Sequence, residues 1–360
     1  MVVNVGVIGL GTIWRMRHLP SLKSLEDKFQ IKVVCDVRED VAKQYGQSLN
    51  VDWTTNWKDV INRSDVEAVA LLTPPSFRVN PIQEVCKRGK PLYCEKPIAL
   101  NIEDAKEVKK LVEDAKIPFI TEFVRRHFRT TGKILDIIKS ELGKPQIIWC
   151  ISGPGSPTSN VGVNAWMADD GLSGGRMQET GCHYVDFINF MFDEQPATKV
   201  SGYSNRLVNL DYNQDDITTL TIEYGKKAVG ELIYCTSRYA VRPPPSPEER
   251  KKMMARGESP GPRPEEGMLM NIVTANKGMI YTDFQKIIWY NSGGRQEWRP
   301  EKELNFAEVG AEIWKLFDEY IRTDKLPYPA GGLDAAYAAT EYILAGYKSM
   351  KDGVKIKLPL

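Results

Sequence analysis

The chain opens on an apolar run that leads directly into a glycine turn. Val2–Ile8 is almost entirely apolar, which is typical of a parallel strand buried on both faces. Gly9-Leu10-Gly11 follows, and a helical stretch then runs from about Ile13 to Leu25. Two glycines here would also fit an ordinary tight turn. Between a buried strand and a helix, however, they let backbone N–H groups approach a pyrophosphate, whose charge the helix N-terminus favours. The segment therefore predicts the start of a Rossmann dinucleotide-binding domain.

A carboxylate stands where the adenosine ribose of a dinucleotide is expected. The second predicted strand, Ile31–Cys35, ends in Asp36, which can accept hydrogen bonds from the ribose hydroxyls and would repel a 2′-phosphate. Arg38 can instead accommodate that phosphate. The sequence predicts NAD and leaves NADP as the less favoured alternative. Trp14 departs from the pattern, because the third glycine of G-x-G-x-x-G normally allows close helix–strand packing. A tryptophan has to point away from the strand or hold the helix further out.

Strands and helices alternate over the first third of the chain. Further strands are predicted at Glu67–Leu72, Pro91–Cys94 and Ile117–Thr121, and this alternation favours a parallel, doubly wound sheet. Beyond residue 122, long strand-like segments indicate a mostly antiparallel sheet. We therefore expect an α/β protein in which an N-terminal Rossmann fold, residues 1–121, precedes an α/β domain with a large, mostly antiparallel open sheet, residues 122–360. The second domain is expected to include a long loop, 242–267, and a C-terminal helix, 333–350.

Composition excludes several classes of protein. The formal net charge is +1, so no global field attracts nucleic acid or an anionic membrane. No apolar run approaches the ~18 residues of a membrane span, and the N-terminus lacks the pattern of a secretory signal. The six cysteines form no C-x-x-C pair and predict neither a disulfide framework nor a zinc site. We expect a cytoplasmic protein that binds neither nucleic acid nor membrane.

Two groups of residues carry candidate chemistry. Glu95-Lys96-Pro97 follows a predicted parallel strand, at the sheet edge where open α/β folds bind ligands. A lysine there can stabilise negative charge developing on a substrate oxygen, although alone it would be interpreted as a solvated surface charge. Glu179 and His183 are four residues apart, so a carboxylate can orient an imidazole that acts as general base. No metal site is expected, because no second His or Cys stands at ligand spacing.

With both groups placed, the sequence resembles the Gfo/Idh/MocA oxidoreductases, the glucose–fructose oxidoreductase and inositol dehydrogenase family. The resemblance covers nearly the whole chain. It implies a catalytic lysine at Lys96, a catalytic histidine at His183, and Glu179 in place of the family's usual aspartate. It also implies a homo-oligomer, dimer or tetramer, formed through the second sheet, and a sugar, polyol or cyclitol substrate. The further matching segments are Gly9-x-Gly11 with His18-Leu19-Pro20, Asp36, Thr73-Pro74-Pro75, Arg125-Arg126, Gly174-Gly175, Asp186 and the ending from Gly331-Gly332 to Leu358-Pro359.

The resemblance also indicates binding residues. Arg78 replaces the histidine of the usual T-P-N-x-x-H pattern, and we expect it beside the cofactor or an anionic substrate. Trp166 can stack on a sugar face, but a core position fits it equally well. The candidate cofactor residues are Gly9, Gly11, Thr12, Ile13, Asp36, Arg38, Thr73, Pro74, Arg78, Glu95 and Lys96. The candidate substrate residues are Arg126, Asn164, Trp166 and Arg176.

These residues predict a hydride transfer between NAD and a hydroxyl or carbonyl group. His183 takes the hydroxyl proton, Lys96 stabilises the alkoxide-like oxygen, and Glu179 orients the substrate or His183. One alternative keeps this site but uses transient sugar oxidation to eliminate a leaving group, as in NAD-dependent glycosidases. Another is a non-catalytic dinucleotide-binding sensor, against which the intact Lys96 and His183 argue. The Pro- and Gly-rich loop 242–267 predicts either a disordered insertion or an arm that contacts the substrate or a neighbouring subunit.

Overall fold

The computed structural model describes residues 2–152, 166, 169–205, 217–235, 248, 268–274 and 277–360. Asn164 and the predicted loop 242–267, apart from Glu248, lie outside the described residues. The chain divides into two compact units. The first comprises Met1–Phe128, Gly171–Gly174 and Leu304–Glu341; the second comprises Arg129–Asp170, Gly175–Glu303 and Tyr342–Leu360. The boundary at residue 121 stays a prediction. The first unit is discontinuous in sequence, because a late segment of the chain returns to it.

The first unit contains a six-stranded parallel sheet. Its strands are β1 Val3–Ile8, β2 Phe29–Cys35, β3 Asp52–Thr54, β4 Ala68–Leu71, β5 Leu92–Cys94 and β6 Phe119–Thr121. They lie in the order β3-β2-β1-β4-β5-β6, and every neighbouring pair is parallel. This is the doubly wound order of a Rossmann fold, which confirms the predicted fold class. Strand β3 was not predicted, because a three-residue edge strand shows too little periodicity.

Helices cover the chain between and beyond the strands. They are α1 Leu19–Lys23, α2 Glu39–Leu49, α3 Trp57–Ile61, α4 Val79–Lys87, α5 Ile102–Ala115, α6 Arg129–Ile137, α7 Asp170–Ser173, α8 Cys182–Met191, α9 Phe306–Thr323 and α10 Leu333–Asp352. Helix α9 begins at a capping box, in which Asn305 accepts from the N–H of Glu308 and the Glu308 carboxylate accepts from the N–H of Asn305. Trp314 of this helix stacks on Tyr93 of β5, with ring centroids 4.3 Å apart. The late segment therefore belongs to the core of the first unit. No helix among the described residues is both long and apolar enough to cross a membrane.

The turn after β1 accommodates the unusual tryptophan. Trp14 is fully buried and meets the ring of Tyr45 edge-on, at a centroid distance of 6.0 Å. The segment Trp14–His18 is a π-helix, whose turn is wider than that of an α-helix. Trp14, Arg17 and His18 are all buried. The wider first turn thus brings a bulky ring and two polar side chains into the interior together.

The second unit contains a nine-stranded sheet. Its strands are β7 Ile147–Ser152, β8 Lys199–Asn205, β9 Ile217–Tyr224, β10 Ala228–Cys235, β11 Met268–Thr274, β12 Gly278–Thr282, β13 Ile287–Asn291, β14 Gly294–Trp298 and β15 Ile356–Lys357. They lie in the order β14-β13-β12-β11-β7-β10-β9-β8-β15. Its neighbouring strands are antiparallel except β7 and β10, which confirms the predicted mostly antiparallel sheet. Every residue of α8 is buried. An added Cβ at Gly230 of β10 would lie 2.4 Å from Ile188 of that helix, so α8 packs directly on the sheet.

Candidate active site

The glycine turn after β1 has one position that requires glycine and one that leaves space. Gly9 has φ +100°, and an added Cβ would lie 2.8 Å from the carbonyl carbon of Leu72. An added Cβ at Gly11 would meet no atom within 4 Å. Thr12 and Ile13 continue the turn into the first helix. The open space beside the backbone of Gly11 fits the approach of a cofactor phosphate.

Asp36 lies just beyond the carboxyl end of β2 and is buried. Its carboxylate accepts hydrogen bonds from the N–H of Leu10 at 2.9 Å, the N–H of Arg38 at 3.0 Å and Nε of Arg38 at 3.0 Å. Burial alone would raise the pKa of Asp36, but these hydrogen bonds lower it below its usual value. The carboxylate is therefore ionised at neutral pH, as ribose recognition requires, and the Arg38 guanidinium is held on it.

Lys96 follows β5 at the same edge of the sheet. Because β1, β2 and β5 run parallel, their carboxyl ends place the Gly9 turn, Asp36 and Lys96 along one edge. Lys96 is half-buried, its N–H donates to Oε2 of Glu95 at 3.1 Å, and the Lys96–Pro97 peptide bond is cis. The structure thus brings together, on one unit, the predicted cofactor residues and the predicted catalytic lysine.

Arg78 is hydrogen-bonded to the turn that carries Lys96. It is 2% exposed, its Nε donates to the carbonyl of Thr73 at 3.0 Å, and its Nη1 donates to the carbonyls of Glu95 and Pro97. Those two carbonyls flank Lys96 in sequence. The contact of Arg78 with a cofactor or an anionic substrate stays a prediction. These hydrogen bonds link Arg78 to the backbone that carries Lys96.

Glu95 belongs to a buried cluster of charged side chains. His18 Nε2 is 3.3 Å from Oε1 of Glu95 and 3.1 Å from Oε2 of Glu122, and Arg17 Nη1 is 2.9 Å from Oε1 of Glu122. All four side chains are buried. Burial lowers the pKa of His18, but Glu122 and Glu95 outweigh it and raise the pKa to about 9. Burial also raises the pKa of Glu122, whereas hydrogen bonds hold that of Glu95 well below its usual range against burial.

The indole of Trp314 determines which nitrogen of His18 carries hydrogen. Its N–H, which can only donate, lies 3.3 Å from Nδ1 of His18. Nδ1 therefore accepts, and Nε2 carries the ring hydrogen. The ring and the two carboxylates together hold one extra proton at neutral pH, which the raised pKa of His18 reflects. With that proton, the three groups and Arg17 carry no net charge.

His18, Glu95 and Glu122 are the one group among the described residues with metal-ligand spacing. Their ligand atoms all lie within 4.8 Å of one another. The Arg17 guanidinium already supplies a positive charge to Glu122. A second cation beside it would be repelled, and His18 Nε2 carries a hydrogen rather than an exposed lone pair. The cluster therefore fits a shared proton and does not fit a metal ion.

Sequence reasoning missed Arg17 and Glu122 in this cluster. Glu122 directly follows β6, just as Glu95 directly follows β5, and the two strands pair in parallel with Cys94 opposite Thr121. The repeated position of a glutamate after neighbouring parallel strands is the signal that could have found it. Arg17 offered no such signal, because its burial depends on the π-helical turn.

The predicted residues of the second unit lie at the start of α8. Met177–Gly181 forms a π-helical turn, and His183, also buried, follows in the first turn of α8. Oε2 of Glu179 is 3.5 Å from Nη1 of Arg176 and also accepts a hydrogen bond from the Thr180 hydroxyl. The structure thus brings Arg176 and Glu179 together within this unit. Lys96 belongs to the first unit.

The remaining substrate candidates are placed differently. Arg126 is buried in the first unit, and its Nη1 donates to the carbonyl of Ala330 at 3.4 Å. Its guanidinium carbon lies 5.7 Å from the centre of the Phe123 ring. Trp166 is half-buried. The roles of these residues in substrate binding stay predictions.

Comparisons with known proteins match both parts of the chain. Residues 3–123 match the model of an oxidoreductase family with an NAD-binding Rossmann fold, GFO_IDH_MocA. Residues 133–250 match the model of the GFO/IDH/MocA C-terminal domain. The two matches together cover about two thirds of the chain.

Individual proteins are similar at lower identity. A myo-inositol 2-dehydrogenase of Thermotoga maritima is 26% identical over 197 residues, 54% of this chain and 56% of that protein. A 2,7-anhydro-N-acetylneuraminate hydratase of Escherichia coli is 25% identical over 236 residues, 64% of this chain and 61% of that protein. Both matches span less than two thirds of the relative. The structure of a levoglucosan dehydrogenase with NADH and levoglucosan has a TM-score of 0.82 at 15% identity, covering 100% of both chains. That likeness shows the fold.

Proposed function

This chain belongs to the GFO/IDH/MocA family of NAD-binding oxidoreductases, and from that premise we propose that it transfers a hydride between NAD and a hydroxyl or carbonyl group of a sugar, cyclitol or sugar derivative. The observation that carries the proposal is the alignment of the Gly9 turn, Asp36 and Lys96 along one sheet edge. A dinucleotide site and a cationic side chain at one edge are what hydride transfer at a carbinol carbon needs.

The residues of the first unit fit NAD. The open space beside Gly11 suits the pyrophosphate, and the ionised Asp36 suits the adenosine ribose hydroxyls. Arg38 is bound by the Asp36 carboxylate, which would repel a 2′-phosphate, so NADP stays the less favoured cofactor. When bound, NAD supplies the hydride acceptor or donor.

The protein then has to manage one proton and one developing charge. We assign the proton to His183, which takes it from the substrate hydroxyl during oxidation and returns it during reduction. Lys96 stabilises the alkoxide-like oxygen. Glu179 holds Arg176, and together they orient the substrate or His183. The sugar-like substrate class rests on the resemblance and on relatives named as inositol and levoglucosan dehydrogenases.

A panel of sugars, cyclitols and sugar acids tests the proposal. Each compound is incubated with the protein and NAD, and in parallel with NADP, while nicotinamide absorbance is recorded. We expect net NADH formation with at least one member and slower reaction with NADP. Absence of reduction and of product across the panel would contradict the proposed activity.

A second function uses the same residues without net oxidation. Transient oxidation of a sugar carbon makes a neighbouring bond easier to break, and reduction afterwards restores NAD. The observation that favours it is the similarity to 2,7-anhydro-N-acetylneuraminate hydratases from two bacteria. The panel separates the two functions. Product formed with catalytic NAD and no accumulated NADH favours the second, whereas stoichiometric NADH favours the first.

The protein also has a surface suited to self-association. Tyr203, Thr219, Ile233 and Ile151 stand in register across β8, β9, β10 and β7, so they share one face of the second sheet. Tyr203 is 57% exposed and Ile233 is 39% exposed. Tyr203 and Ile233 are thus exposed apolar side chains on the same sheet face, and such exposure favours a partner surface. We propose that a second copy of the chain covers this face, giving the homo-oligomer that the family resemblance implies.

A further inference from the structure

We propose that Arg78 is a positioning residue, which fixes the backbone on both sides of Lys96 and so sets where the lysine presents its ammonium group. The inference rests on the proposed function, in which Lys96 stabilises a developing charge. Arg78 comes from the segment just before α4, after the end of β4. It bonds to Thr73 in the loop after β4 and to Glu95 and Pro97 in the turn after β5. One guanidinium thus joins two loops at the carboxyl edge of the sheet.

The geometry uses the specific shape of arginine. A guanidinium presents five N–H donors in a rigid plane. Nε and Nη2 both donate to Thr73, and Nη1 donates to both Glu95 and Pro97. At least four of the five donors are therefore directed at backbone carbonyls. An ammonium group of lysine is a point charge on a flexible stem, and an imidazole has two ring nitrogens, so neither can reproduce this set.

Burial makes the arrangement costly to lose. Arg78 is 2% exposed, and a buried cation without hydrogen-bond acceptors is strongly unfavourable. Its acceptors are backbone carbonyls, so the charge can be satisfied only if the Glu95–Pro97 turn keeps its shape. The Glu95 carboxylate supports the same turn, because it accepts from the N–H of Lys96 at 3.1 Å. Lys96 is consequently held by contacts before it, at it and after it.

The arrangement also distinguishes positioning from ligand binding. A residue that bound an anionic cofactor or substrate would keep its donors available to the ligand, whereas most of those of Arg78 are engaged by Thr73, Glu95 and Pro97. A positioning role predicts that loss of the guanidinium hydrogen bonds lowers kcat and leaves the affinity for NAD nearly constant. A misplacement of about 1 Å at a reacting group can lower turnover about 100-fold.

Arg78→Lys and Arg78→His test the proposal, with Arg88→Lys as the matched control. Arg88 lies at the exposed end of α4, where it pairs with Glu84. Amide hydrogen exchange is followed on peptides covering residues 94–99, and kcat, KM and NAD affinity are measured with the best substrate. We expect both Arg78 variants to exchange at least tenfold faster in this segment and to lose about 100-fold in kcat, with NAD affinity within threefold. Arg88→Lys is expected to change neither.

Unchanged exchange and unchanged kcat in folded Arg78 variants would overturn the proposal. A loss of NAD affinity, or a rise in KM confined to anionic substrates, with constant exchange would overturn it in favour of direct ligand binding. Circular dichroism establishes that each variant is folded, and the histidine variant serves if the lysine variant is not. The exchange measurement needs no turnover, so it reports on the Arg78 contacts even if Lys96→Ala shows that the proposed function is wrong.

Discussion

At the residue scale, the least expected feature is the buried set of His18, Glu95, Glu122 and Arg17. Sequence analysis named Glu95 from its place after a predicted strand and His18 only through the family resemblance, and it did not indicate that the two side chains meet. The contact depends on the parallel pairing of β5 with β6 and on the π-helical turn, neither of which a local pattern specifies. Four charged residues can be buried together because a single proton makes them electrically neutral.

The free energy of unfolding is expected to fall as pH rises from about 6.5 to about 9. The neighbouring carboxylates raise the pKa of His18 to about 9 in the folded protein, whereas an unfolded histidine has a pKa of about 6.5. Within that window the folded cluster keeps a proton that the unfolded chain has released, so the stabilisation present below it is lost above it. Full titration corresponds to roughly 3 kcal/mol. Urea unfolding at the two pH values measures the change.

The Glu122→Gln variant is the control for this pH dependence. Its amide cannot bind the shared proton and carries no negative charge, so one of the two carboxylates that raise the pKa of His18 is removed. We expect a flatter dependence of stability on pH in this window. A wild-type protein whose unfolding midpoint is constant from pH 6.5 to 9 would contradict the assignment of a shared proton.

At the element scale, local patterns predicted the strand–turn–helix start because every part of it is specified nearby in sequence. A buried apolar strand, two glycines and a helix follow one another without a long-range contact. The short edge strand β3 and the hairpin strand β14 were not predicted, because mostly exposed strands of three to five residues carry little hydrophobic periodicity. The π-helical form of the turn at Trp14 also escaped prediction, since no local pattern indicates that the indole is buried against Tyr45.

The two glycines of the turn make a matched pair of variants. Gly9→Ala forces a side chain into a left-handed backbone and against Leu72, so we expect a loss of about 2–4 kcal/mol in unfolding free energy. Gly11→Ala adds a methyl group to open space and is expected to change stability by less than about 0.5 kcal/mol. It should nevertheless weaken NAD binding, because the methyl group fills the space assigned to the pyrophosphate. Equal stability losses in both variants would contradict this account of the turn.

At the scale of the whole molecule, the sequence predicted the class and order of the two sheets but not the path of the chain between the units. Leu304–Glu341 returns to the first unit because the aromatic face of α9, with Trp314 and Phe317, packs on Phe29 and Tyr93. An amphipathic pattern shows that α9 buries one face, but it does not indicate which distant strands receive that face. The position of Lys96 at the sheet edge, in contrast, was predictable because parallel strands always present their carboxyl ends at one edge.

The proposed contact between copies makes a prediction at this scale. Ile233→Glu places a charge on this face of the second sheet, and we expect it to lower the molar mass measured by light scattering during size-exclusion chromatography. Val354→Glu is the control, because Val354 is also exposed but lies outside the strands of that sheet. An oligomer that persists in Ile233→Glu, or a monomeric wild-type protein, would contradict self-association through this face.

The central claim is that Lys96 and His183 perform the chemistry of an NAD-dependent oxidoreductase. Its most direct test compares turnover of the best substrate by Lys96→Ala and His183→Ala with turnover by the wild-type protein, while NAD affinity is measured by direct titration. We predict that each substitution lowers kcat by about 10²–10⁴-fold while NAD binding is largely retained. Near-normal turnover in both variants would contradict the assignment of the active site.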